Sequence, residues 1–156
     1  MSTAFRRTAS ATGSAALVGA SLLFDGAVAQ AGPELDNTDP IATGCSNTGR
    51  VVEHEPLRNT NGNGQVQGTI YLFYSSACRT VWAKIVTDGP NCQSNGVWCG
   101  NAYVIRDRDG RVLGRPTPVG GTTAYTKQLN DIDVTSYALG NLTTQSSGYF
   151  NKTESF

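Results

Sequence analysis

Two runs decide the fold: Val66-Gln67-Gly68-Thr69-Ile70-Tyr71-Leu72-Phe73-Tyr74-Ser75 and Arg79-Thr80-Val81-Trp82-Ala83-Lys84-Ile85-Val86. Both are dense in aromatic and β-branched residues, the types that suit a pleated, half-buried surface, so both read as strands. In the second run alternation puts Val81, Ala83 and Ile85 on one face and Thr80, Trp82 and Lys84 on the other. Upstream, Asn59-Thr60-Asn61-Gly62-Asn63-Gly64 is a turn, because its Asn-Gly pairs favour positive φ. Before it, Arg50 to Leu57 alternates as a strand, with Pro56 marking an edge or an ending. Downstream, Val97 to Arg106 and Arg111 to Leu113 flank Asp107-Arg108-Asp109-Gly110, a hairpin turn signal. Thr122 to Leu129 and Asp133 to Leu142 supply further short strand-like pieces. No long helical period and no internal repeat interrupts this pattern. The expectation is an all-β fold, a small sandwich or barrel.

The start of the chain reads differently. Arg6 and Arg7 precede an apolar run from Ala15 to Phe24, too short to span a bilayer, and Ala27-Val28-Ala29 is a small-x-small cleavage frame. Residues 1–29 are thus expected to be a signal peptide, residues 30–44 an irregular Gly- and Pro-containing arm, and 45–156 a single β-rich domain. The implied product is secreted, extracellular and free of a membrane. The whole chain carries 12 basic and 12 acidic residues. Without Arg6, Arg7 and Asp25 the balance becomes 10 against 11, which argues against a nucleic-acid partner. Arg106, Arg108, Arg111 and Arg115 come close together, but Asp107 and Asp109 interleave with them, and a solvated hairpin face is the expected reading.

Cys45, Cys78, Cys92 and Cys99 make an even set in an exported chain and read as two disulfides, with three connectivities open. Their wide spacing and the single histidine, His54, argue against an ordinary zinc site. Asn59-x-Asn61-x-Asn63-Gly64 has the rhythm of a calcium loop, yet Ile70 stands where the bidentate Glu is needed. No metal or other cofactor is expected.

The run Leu72-Phe73-Tyr74-Ser75-Ser76-Ala77-Cys78-Arg79-Thr80-Val81-Trp82-Ala83-Lys84-Ile85 has the pattern Leu-x-Tyr-Ser-x-x-Cys-x-x-x-Trp-Ala-basic-Ile. Together with Asp39-Pro40-Ile41-Ala42-Thr43-Gly44-Cys45, and more weakly Ala124-Tyr125-Thr126, it resembles a family of small secreted bacterial proteins classed as a domain of unknown function. The resemblance spans roughly residues 39 to 140 and implies an extracytoplasmic all-β domain without naming an activity. Tyr71 and Phe73 stand where that pattern often has charged residues, and Cys92 and Cys99 lie outside it. Since the resembling segments contain Cys45 and Cys78 alone, the resemblance implies the pairing Cys45 with Cys78, which leaves Cys92 to Cys99 across the Asn95-Gly96 turn.

Functional signals are sparse. His54, between Glu53 and Glu55, reads as a solvated strand residue, and no nucleophile motif accompanies it, so no catalytic residue is assigned. Tyr74, Trp82 and Trp98 are the candidate binding residues, because exposed rings stack on sugars and anchor interfaces. The expected role is a non-catalytic binding or structural module whose partner is cell-wall glycan or another extracellular protein. The alternative is a small hydrolase using two of Asp107, Asp109, Asp131 and Asp133.

Overall fold

Ser76 to Arg79 form a turn between the two anchoring strands, and its length sets their register. The protein, seen in a computed structural model, is described over residues 33–156, so the assigned signal peptide lies outside the described residues. Val66–Ser75 is β2 and Thr80–Thr87 is β3; Ser75 faces Thr80, Phe73 faces Trp82 and Tyr71 faces Lys84. Alternation then sends Ile70, Leu72, Val81, Ala83 and Ile85 inwards, where all five are fully buried. Phe73, Trp82 and Lys84 point to the opposite face.

The remaining strands are β1 (Gly49–Asn59), β4 (Cys99–Arg106), β5 (Arg111–Pro116), β6 (Thr123–Tyr125), β7 (Leu129–Asn130), β8 (Ser136–Thr143) and β9 (Gly148–Lys152). All join one antiparallel sheet in the order β5-β4-β8-β9-β1-β2-β3-β6, with β7 also on β3. The sheet curls until β3 packs on β4 and β6 approaches β4 and β5. The result is a nearly closed barrel, one of the two expected architectures. Its interior is filled from most strands, by Leu57, Ile70, Leu72, Val81, Ile85, Val104, Leu129 and Leu142 among others. Each such aliphatic side chain contributes about 1.5–3 kcal/mol by leaving water.

Three details depart from the sequence reading. The first strand passes Pro56 and continues to Asn59, since β9 pairs β1 only at Arg58 and Asn59. Pro56 therefore has one strand neighbour, a position where a missing N–H is tolerated. The last strand, β9, was not expected, because Gly148-Tyr149-Phe150-Asn151-Lys152 is short and flanked by polar residues. Arg106 is not part of a solvated hairpin face: it is 5 % exposed. Its guanidinium forms a fork on Asp109, with Nε to Oδ1 at 2.9 Å and Nη2 to Oδ2 at 2.7 Å. It also reaches Asp36 at 3.1 Å, and Arg111 meets the same carboxylate at 3.0 Å. Arg108, Arg111 and Arg115 are exposed, as expected.

The described part of the chain before β1 carries a short 3-10 helix, Pro33–Leu35, and is tied down at three places. Asp36, buried beside Arg106, accepts the Asn130 backbone N–H at 2.6 Å. Cys45 is joined to Cys78 by a disulfide, and a second one joins Cys92 to Cys99, the pairing expected. Between these, Gln128 is fully buried and donates through Nε2 to Thr38 Oγ1 at 2.8 Å and Thr43 Oγ1 at 3.0 Å, while Thr80 Oγ1 donates to its Oε1 at 2.8 Å.

Candidate functional site

Asp39-Pro40-Ile41-Ala42-Thr43-Gly44-Cys45 is a tight knot of backbone capping. Asp39 Oδ1 accepts the N–H of Ile41 at 2.8 Å and of Ala42 at 3.3 Å, and Thr43 Oγ1 donates to Asp39 O at 2.9 Å. Gly44 then adopts φ 77°, a left-handed conformation that a side chain would strain, and so aims Cys45 at Cys78. The knot lies over the outer face of β3. Trp82 projects from that face and yet is only 5 % exposed. Gly49 permits the cover, for a Cβ there would overlap the Trp82 ring.

Beside the covered indole a groove of about 370 Å³ remains open, lined by Pro40, Ile41, Phe73, Trp82, Lys84 and Tyr125, among others. Phe73 and Trp82 stack across the strands, 5.5 Å apart and 13° from parallel. Tyr125 is 38 % exposed and Ile41 59 %, so rings and aliphatic carbon face solvent together. On the other side of Tyr125 lies a second, more polar depression of about 220 Å³, lined by Asp39, Arg115, Pro118, Tyr125 and Lys127 among others. Tyr125 and Thr123 belong to both, so β6 is the ridge between two adjoining hollows.

Of the three aromatic residues singled out from the sequence, Trp82 alone lines this groove. Tyr74 has the parity of Leu72, packs against the barrel core and meets the Phe156 ring at 5.2 Å. Trp98 sits in the loop closed by Cys92 and Cys99, half-buried, its ring against Gly89. The three do not form one surface. Phe73 and Tyr125 were missed as site residues, although the Ser76–Arg79 turn carries the signal for Phe73, since it places that ring opposite Trp82.

The carboxylates proposed for hydrolysis are each engaged elsewhere. Asp109 is held well below the usual carboxylate range by the hydrogen bonds from Arg106. Asp107 accepts Thr135 Oγ1 at 2.7 Å, and Asp133 pairs with Arg79 at 3.1 Å on the surface. Asp131 is pushed up to about 6 by burial, which outweighs the hydrogen bond it accepts from Ser136 Oγ at 2.7 Å. None of the four lines either groove. His54 is exposed on β1, stacked on Tyr71 at 6.0 Å. Among the described residues no group of three His, Cys, Asp or Glu side chains could hold a metal ion. Nor is any helix among them long and apolar enough to cross a membrane.

Residues 34–139 match a family described as protein of unknown function (DUF2690). The chain is also similar to the uncharacterized protein YjfA of Bacillus subtilis (strain 168), 33% identical over 113 residues that make up 67% of this chain and 69% of the relative. No solved structure matches the chain.

Proposed function

The chain belongs to the DUF2690 family, whose description carries no activity, and from its groove we propose that the protein is an exported, non-catalytic module that binds cell-wall glycan. The observation that carries this reading is the open groove floored by Phe73 and Trp82 and walled by Tyr125 and Ile41. Monomeric surfaces rarely leave rings and aliphatic carbon gathered in a concave site without a partner, and the CH face of a sugar is a suitable one. Rigidity favours the same reading. Trp82 is fixed by stacking and by its cover, and the wall carrying Ile41 is fixed by the capped knot, so little freedom is lost on binding. Export is supported by two disulfides in a small domain and by the cleavable-looking N-terminal segment.

The test is a pull-down of the purified protein on isolated cell wall, with protein from culture supernatant as the competing bait. Retention on the wall, lost in Tyr125→Ala and kept in His54→Ala, is the expected result. Retention unaffected by Tyr125→Ala places any binding elsewhere, and capture of a supernatant protein alone replaces glycan by a protein partner.

A further inference from the structure

The two hollows beside Tyr125 are not electrically neutral. Lys84 lines the first; Arg115 and Lys127 line the second. Asp39 is the one carboxylate lining the pair, and its Oδ1 is already occupied by two backbone N–H groups of the arm. Arg79, Arg106 and Arg111 are neutralised by aspartates, whereas Lys84, Arg115 and Lys127 form no ion pair among the described residues. A chain of net charge zero thus gathers three unpaired cations around one exposed tyrosine. Lys84 is moreover half-buried on β3, and no carboxylate pairs with it among the described residues.

We infer that the glycan taken by this site is acidic, with carboxylates carried on its sugar rings. This rests on the glycan-binding reading and adds the ligand's charge to it. Lys84 and Tyr125 are direct cross-strand partners, which places their Cβ atoms about 4.5–5.5 Å apart. A sugar lying on the Tyr125 ring therefore meets Lys84 with a substituent of its own. Ring and charge are read on one residue, not on separate stretches of a polymer. Arg115 offers a planar fork suited to a second carboxylate across the β6 ridge, and the free Oδ2 of Asp39 accepts a sugar hydroxyl there. The stabilisation is electrostatic, and it weakens as salt is added.

The experiment titrates the purified full chain with three probes, followed by tryptophan fluorescence and calorimetry. They are oligogalacturonate, its fully methyl-esterified form, and polyglutamate. The expected order is oligogalacturonate tightest, with the ester and polyglutamate each at least about tenfold weaker, or about 1.4 kcal/mol. Lys84→Gln should abolish the preference for acid over ester, with an unchanged melting temperature showing that the fold is kept. Equal affinity for acid and ester overturns the inference and leaves the glycan reading standing. Tight binding of polyglutamate overturns it in favour of an acidic polypeptide. Failure of all probes while wall is still captured through Tyr125 overturns the carboxylate alone; failure of wall capture as well removes both.

Discussion

Replacing Asp131 by Asn should stabilise the protein at neutral pH, although it removes a charge that has a hydrogen-bond partner. The side chain is 7 % exposed at the entrance to β8, and Ser136 Oγ is its one side-chain donor. Burial moves its carboxyl from the ordinary 3.8 to about 6. The folded state therefore binds the proton more tightly than the unfolded state does. The associated stability is fully present below about pH 4 and is lost as pH rises through about 6. Converting that displacement gives a penalty of about 3 kcal/mol at pH 7.5, an upper figure for what Asn can recover. For a domain of this size that corresponds to a melting-point gain of about 10 °C. Asn keeps an oxygen to accept the Ser136 hydroxyl, so the contact survives. Thermal melts of both proteins between pH 3.5 and 8 provide the assay. The curves should coincide near pH 3.5 and separate progressively above pH 5, with the variant higher. Parallel curves across the range would show that Asp131 titrates as an ordinary carboxyl, and a less stable variant at pH 7.5 would show that its charge is favourable. Either outcome refutes the reasoning.

Other perturbations test the anchoring of the arm and the cover of Trp82. Cys45→Ser/Cys78→Ser releases a closure of 33 residues and should cost about 3.7 kcal/mol on the chain-entropy model, against about 2.4 for Cys92→Ser/Cys99→Ser with a closure of 7; denaturant melts should separate them. Asp36→Ala leaves buried Arg106 with Asp109 as its one carboxylate and should cost about 3 kcal/mol, read in the same melts and in faster proteolysis before β1. Gly49→Ala should overpack the Trp82 site by about 1–3 kcal/mol and red-shift tryptophan emission as the cover lifts.

The strands at the centre were legible because their alternation is strong and their turn is short. Val66 to Ser75 is reproduced residue for residue, and the Asp107-Arg108-Asp109-Gly110 turn falls where Asp-Gly placed it. Short edge pieces were not. β9 has five residues and gains its place from β8 and β1, which are distant in sequence. Arg106 departs from the local pattern for a related reason. Local charge alternation describes the hairpin correctly, but Asp36 approaches from 70 residues away and converts one of its cations into a buried anchor.

The groove depends on the same kind of long-range event. Parity alone sends Trp82 to the outer face, where a tryptophan ought to be exposed, and only the close approach of Gly49 and the chain before it, more than 30 residues away in sequence, leaves it covered instead. Tyr125 joins it because β6 pairs with β3, a contact that no property of Thr123-Ala124-Tyr125 announces. Consequently the ties that stabilise the arm also build the wall of the groove. Gln128 bonds Thr38, Thr43 and Thr80 at once, and the Cys45–Cys78 link holds the end of the knot beside the start of β3. Loosening either should therefore weaken ligand binding at temperatures where the barrel itself is still folded. The Cys92–Cys99 link holds a loop that lines neither hollow, so its removal should lower the melting point without that separate loss of binding.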